Sequence, residues 1–350
     1  MAQSTLHIYI NMPEQTPNFS TITDAIEFVT GYDESNGYTE EEQVFPAIPS
    51  DITPVIFHIG EGVYREKLIF SRPNITLLGA GRDKTTIVYG DGAFEILEDG
   101  EKRGTFRTAT VRINTHDFTA KHLTFQNDAG FGHTVGQALA LYVDGDRNYF
   151  EDCNMIGSQD TLFTAPLPMK ESQPHGFRGP GEYKPRIMGR QCYRNCFIQG
   201  DVDFIFGGAI AYFEDCTIHS KKPGDRRPPE SGEEDIYGYI TAASTFQDQE
   251  FGYVLKNCRL TSDCPTGSIY LGRPWREWAK TVYINCELGE HIHPLGWNDW
   301  EKTHGHFYYG EYNSYGPGAN ADSRADFSHQ LTNEEAAKYT KENVLQGWDI

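Results

Sequence analysis

No apolar run in this 350-residue sequence approaches the ~20 residues of a membrane span. The start, Met1–Pro13, has no basic stretch and no apolar core followed by a small-residue cleavage site. The expected compartment is therefore the cytoplasm if Met1 is the native start, and otherwise outside the cell with a signal already removed. Positive charge is scarce: 30 Lys and Arg stand against 50 Asp and Glu, a formal net charge of −20. That excludes nucleic acid, whose phosphates need a basic surface, and gives no reason to expect a membrane partner. It also repels polyanions at long range, so a cleft for one must supply local arginine or meet neutral groups. The seven cysteines are an odd number without paired zinc-site spacing, which argues against a disulfide framework.

What is abundant is glycine (35 residues) and aromatic side chains (13%), a composition that favours many short strands and turns. Leu6–Ile10, Val55–Ile59 and Ile75–Leu78 read as strands. Phe19–Thr30 places Ile22, Ala25, Ile26 and Val29 at helical spacing. Gly31–Pro49 is acidic and polar and reads as a surface loop. Thr332–Thr340 has a capping threonine ahead of glutamates and predicts a terminal helix packed on, or capping, the rest.

A loose repeat then emerges. Phe150–Met155, Tyr193–Ile198, Phe213–Ile218, Leu255–Leu260 and Tyr283–Leu288 share one pattern: a large apolar residue, any residue, Asp or Asn, Cys, any residue, an aliphatic. The cysteine steps are 43, 20, 42 and 28 residues, read as one or two units of ~20 with insertions, which is a solenoid period. Cysteine and the following aliphatic share a strand face, while the leading apolar residue has the opposite parity. A bend at Asp or Asn, which tolerate the left-handed conformation, would turn both inward. Five cysteines are thus small core residues stacked from coil to coil. The expected fold is all-β, one domain over 1–350: a coiled parallel stack of short strands, with short terminal helices. A β-sandwich is the alternative, but it would not demand a shared register. Loops rich in Pro, Gly and charge interrupt the period at Phe163–Arg190 (163–190) and Lys221–Asp235 (221–235).

Four polar signals sit in apolar or glycine-bounded stretches: Gln137, the pair Gln159-Asp160, Asp203, and Arg273 with Trp275. Alternation over Val202–Gly207 puts Val202, Phe204 and Phe206 on one face and Asp203 beside Ile205 on the other. An unpaired buried carboxylate costs several kcal/mol, so Asp203 needs a partner. Each signal has a plain structural explanation, such as a strand cap, an Asx-turn, an ordinary ion pair or a core indole. In a coil stack, however, such groups could pool in one cleft. Two carboxylates, two amides, a guanidinium and an indole suit acyl or glycosyl transfer.

The set Gly62-x-Tyr64-x-Glu66, Gln137–Leu141, Gln159–Thr161, Val202–Gly207 and Gly272–Trp275 resembles the pectin methylesterases, in order, from about Phe19 to the carboxy terminus. The resemblance implies a right-handed parallel β-helix that hydrolyses methyl esters of galacturonate in pectin or its oligomers, without metal or cofactor. It implies Asp203 as nucleophile, Asp160 as general acid/base, Gln159 and Gln137 as oxyanion-stabilising amides, and Arg273 as the cation orienting Asp203. Trp275, Thr105 and Phe206 would contact substrate. A monomer is the expected state.

Arg273 would keep a nucleophilic carboxylate charged, while burial and a nearby negative charge would let Asp160 hold a proton. Gln159 and Asp160 are adjacent, so an ideal strand would send them to opposite faces; both serve one site only if a turn intervenes. Ser158 stands where the family commonly has an aromatic. The 43 residues between Asp160 and Asp203 read as about one unit longer than the family's spacing. The rivals are a glycosidase or lyase on the same architecture and a non-catalytic polysaccharide- or protein-binding β-helix. A glycosidase's two carboxylates would leave the paired glutamines unexplained. His291, His293, His304 and His306 have same-face spacing but no companion ligands, so solvated or hydrogen-bonded histidines are expected.

Overall fold

A computed structural model describes residues 5–30, 53–224, 235–302 and 306–350. The expected loop over 31–49 and most of the 221–235 loop lie outside them, as does His304. Within them the chain winds into three parallel sheets of twelve, eight and seven strands. Each turn visits the sheets in a fixed order. Asn148–Glu151 leads to Asn154–Ile156 and then Leu162–Thr164, and the next coil repeats this with Arg190–Arg194, Phe197–Gly200 and Val202–Gly207. This is a right-handed parallel β-helix, the hand that parallel crossovers adopt. No helix among the described residues is long and apolar enough to cross a membrane.

The repeat works through its bend. Asp152, Asn195, Asp215, Asn257 and Asn285 all have positive φ, between 51° and 55°. Each breaks strand parity, so the large apolar residue two positions before it and the cysteine after it both face inward. Phe150, Tyr193, Phe213, Leu255 and Tyr283 consequently lie in one register file, with rings stacked at 4.9 Å and 4.7 Å along Phe150–Tyr193–Phe213. The cysteines form the next file. Each Sγ reaches a carbonyl of the previous coil, as Cys196 does to Phe150 (3.6 Å) and Cys216 to Tyr193 (3.4 Å). Burying a large side chain at each step contributes about 1.5–3 kcal/mol, and the files repeat it coil by coil.

The 43- and 42-residue cysteine steps prove to be single coils rather than two units. Asn154–Ile156 pairs directly with Phe197–Gly200, and Thr217–Ser220 with Arg259–Ser262. The excess residues leave the ladder as loops, one of them between Thr164 and Arg190. The separation of Asp160 and Asp203 is therefore one coil plus a loop, and no coil has been added.

The ends follow from capping chemistry. The first helix is Ile22–Thr30, shorter than the expected Phe19–Thr30. Glu66 accepts the Ile22 and Thr23 N–H groups at 3.0 Å and 2.8 Å, putting a negative charge on the helix N-terminus. The Gly62-Tyr64-Glu66 motif is thus structural, with the Tyr64 hydroxyl donating to the Gly60 carbonyl. At the carboxy terminus the expected helix is two single turns, Asn333–Ala336 and Lys341–Val344, capped by Thr332 and Thr340. Val344 and Leu345 pack with Tyr212, Val254 and Val282 on the outer flank of the first sheet, and so do not close the end of the stack.

Candidate active site

The seven-stranded sheet positions the site. Leu162 pairs with Ile205 and Phe163 with Phe206, which sets Asp160 opposite Asp203 one coil apart. The Asp160 N–H donates to the Val202 carbonyl at 3.0 Å, the bond that this register demands. The two α-carbons are therefore separated by roughly one ladder step, ~4.8 Å. Both residues are left-handed, with φ of 63° and 50°.

At Asp160 the left-handed residue is the turn that adjacency with Gln159 required. Thr161 fastens it from below, its hydroxyl donating to the Ser158 carbonyl (3.2 Å) and the Gln199 carbonyl (2.9 Å). Ser158 is buried inside this turn. At Asp203 the ladder slips between Val202 and Ile205, a β-bulge. The expected parity of Val202–Gly207 fails there: Phe204 and Ile205 both enter the main core, and Phe206 alone joins an outer aromatic cluster. Gly207, at φ 129°, ends the strand where a β-carbon would stand 2.1 Å from the Thr164 carbonyl oxygen.

The two carboxylates meet different partners. Arg273 donates Nε to Asp203 Oδ1 at 2.8 Å and Nη2 to Oδ2 at 2.7 Å, a two-pronged fork. The Asp160 carboxyl, 7% exposed, has no hydrogen-bond partner among the described residues. Burial first, and the Asp203 charge second, push its pKa well above the ordinary carboxylate range, against the opposing pull of Arg273.

Gln137 precedes the strand Leu141–Asp144, and the next residue's N–H donates to the Gln159 carbonyl at 3.1 Å, bringing the two glutamines to neighbouring coils. Neither side-chain amide has a hydrogen-bond partner among the described residues, and both are half-buried. Gly132 makes room for Gln159: a β-carbon there would lie 2.4 Å from Oε1.

Thr105 opens a short turn, Thr105–Arg107, that carries Phe106 into the aromatic cluster. Phe106, Phe163, Phe177 and Phe206 surround the half-buried Trp275, with ring centroids 5.6–6.5 Å from it. The sequence had singled out only Phe206 and Trp275 of this group. A signal was present for Phe163, because both aspartates are followed three residues later by phenylalanine. Phe177 comes from the 163–190 insertion, and Arg276 Nη2 donates to the Lys170 carbonyl in the same insertion. The insertion therefore folds against the aromatic wall.

Of the histidines that the sequence singled out, three lie among the described residues. His291 and His293 are buried rather than solvated, 3% and 5% exposed. The His293 ring lies 4.4 Å from Tyr270, and its Nδ1 accepts the Leu295 N–H. Burial, with His219 adding to it, lowers the His291 pKa to about 4. His306 faces Glu277 at 3.6 Å.

A sequence profile described as Pectinesterase matches residues 16–167 and 186–348. Pectinesterase QRT1 of Arabidopsis thaliana is 35% identical over 297 residues, 82% of this chain and 68% of its own length. Among solved structures, pectin methylesterase PemA from Erwinia chrysanthemi superposes with a TM-score of 0.75 at 29% identity, covering 99% of both chains. A pectin methylesterase in complex with a hexasaccharide gives a TM-score of 0.75 at 30% identity, again over 99% of both chains.

Proposed function

The chain belongs to the pectinesterase family, and on that premise we propose that it is a pectin methylesterase whose chemistry is carried by Asp203 and Asp160. The observation behind the assignment is the asymmetry of two carboxyl groups in one register. Arg273 forks onto one, while the other is buried, unpaired and pushed toward its protonated form. Environments that separate two like groups in this way divide nucleophile from acid.

In this mechanism an Asp203 oxygen attacks the carbonyl carbon of the galacturonate methyl ester. The amides of Gln137 and Gln159 hold the developing oxyanion. Collapse breaks the bond to the methoxy oxygen, Asp160 supplies that oxygen with its proton, and methanol leaves. The acyl group is then held as an anhydride on Asp203. Asp160, now a carboxylate, takes a proton from water as the water oxygen attacks the anhydride, which releases the galacturonate acid and restores Asp203. Trp275 and Thr105 line the wall on which sugar rings rest, and Phe206, expected to touch substrate but only 3% exposed, supports that wall from behind Trp275. The substrate is methylated homogalacturonan or its oligomers, in keeping with the hexasaccharide named for a structural relative, and the chain acts as one domain.

The test is the product. Methylated pectin should yield methanol without new reducing ends or unsaturated sugars; chain cleavage in place of methanol would replace the assignment with a glycosidase or lyase. Gln159→Ala should lower methanol release about 10²–10³-fold, the cost of one oxyanion donor. A loss under threefold would remove Gln159 from the mechanism.

The 163–190 insertion rims this cleft through Phe177 and the Lys170 carbonyl. Replacing residues 169–186 by a short glycine-serine link should raise the rate on long chains relative to short oligomers. An unchanged length preference in the folded variant would deny the insertion that role.

A further inference from the structure

The guanidinium of Arg273 is held by more than Asp203. Its central carbon lies 3.8 Å from the centroid of the Tyr239 ring and 3.7 Å from that of the Trp300 ring. Two rings centred so close to one carbon must occupy opposite faces of the guanidinium plane, because side by side they would overlap. Arg273 is thus sandwiched, with its edge turned to both oxygens of Asp203.

The two halves of this clamp differ in origin. Tyr239 belongs to the sheet ladder: it pairs in register with Tyr270, and their rings stack at 5.6 Å and 8°. Trp300 comes from a loop beyond Gly296. Its backbone and that of Glu301 are both left-handed, φ 51° and 56°, a conformation uncommon for large side chains. Two side chains brace the loop, Asn298 Oδ1 accepting the Trp300 N–H at 2.9 Å and Asp299 Oδ1 accepting the Glu301 N–H at 3.0 Å. On the indole sits a second cation, Lys302 Nζ, 4.4 Å from the ring centroid.

We propose that Trp300 is a positioning residue for the esterase reaction: it closes the open face of Arg273 and so fixes the plane in which Asp203 presents its attacking oxygen. A carboxylate can swing about its Cβ–Cγ bond. The fork stops that swing only while the guanidinium plane is itself immobile, and cation–π contact on both faces supplies the immobility. The inference rests on the assignment of Asp203 as nucleophile.

The experiment is a kinetic cycle on methylated oligogalacturonides, reading kcat and KM of methanol release. Trp300→Ala should lower kcat about 10–100-fold, the scale of a misplaced reacting group, with KM within about threefold. Trp300→Phe should recover most of the rate because it restores a ring face, and Trp300→Leu, which keeps bulk without a π-face, should not. Lysine has no plane to clamp, so in an Arg273→Lys background Trp300→Ala should cost less than about threefold more. Additive losses, rescue by Leu, or a rise in KM with kcat intact would overturn the clamp, the last by making Trp300 a sugar contact. Asp203→Asn, run in parallel, separates the two failures. Methanol release surviving in that variant overturns the nucleophile assignment, whereas a dead Asp203→Asn with an additive Trp300 cycle overturns the clamp alone.

Discussion

Asp203→Asn should reduce methanol release by roughly 10⁴–10⁶-fold, the range in which enzymes lose their rate when a nucleophile is removed. The amide keeps the size of the carboxylate and one acceptor for Arg273, so the loss cannot be traced to a hole in the core. It does leave a guanidinium, only 15% exposed at its side chain, facing a neutral group. Stripping a partner from a fully buried pair costs about 3–5 kcal/mol. Here the rings of Tyr239 and Trp300 and the residual solvent soften that to about 1–3 kcal/mol. The variant should therefore be folded, somewhat less stable and inert, as read by methanol release beside a thermal melt. Activity within tenfold of the native protein would disqualify Asp203.

Asp160→Asn should be inactive to a similar eye, with rates down about 10²–10⁴-fold for a lost general acid/base, yet its effect on stability should have the opposite sign. Burial and the Asp203 charge raise the pKa of Asp160 in the folded state. Below the ordinary carboxylate range both folded and unfolded chains hold the proton, and Asp160 carries no penalty. As pH climbs from there toward the raised value, the unfolded chain sheds its proton while the folded one keeps it, and the native state loses stability. Above the raised value the penalty is complete. Asparagine has none of this cost, so its melting temperature should exceed the native one at neutral pH, and the gap should close as pH falls toward about 4. The native enzyme's kcat/KM should decline on its alkaline side as Asp160 loses the proton it donates. A variant that melts below the native protein at pH 8 would show that Asp160 is paired in solution and is not the stored acid.

Much of this arrangement was legible in the residues. The Asp or Asn before each repeated cysteine announced a left-handed bend, and the bend announced which neighbours face inward; Asp152, Asn195, Asp215, Asn257 and Asn285 all adopt it. The strands Leu6–Ile10 and Val55–Ile59 have the bounds read from the sequence. The number of coils did not follow, because a loop about as long as a coil mimics one in the spacing: the step from Cys153 to Cys196 could be two turns or one turn with an excursion. Parity misled at Asp203 for a related reason. A single left-handed residue inserts an odd step, and only the matching Asp-x-x-Phe spacing at Asp160 and Asp203 hinted at it. The contact of Trp300 with Arg273 was invisible in the sequence, since no local pattern relates the two and they meet only through the loop's path.

The excursion between Thr164 and Arg190 departs from the very coil that joins Asp160 to Asp203, yet Leu162 and Ile205 still pair as if nothing intervened. Amide spacing, repeated up the stack, measures out the distance between the two acids, and the length of chain spent between them does not enter. Rim and ladder are in that sense separate parts on a common spindle: the loops can be rebuilt, lengthened or recharged while Asp160 and Asp203 stay at the same gauge.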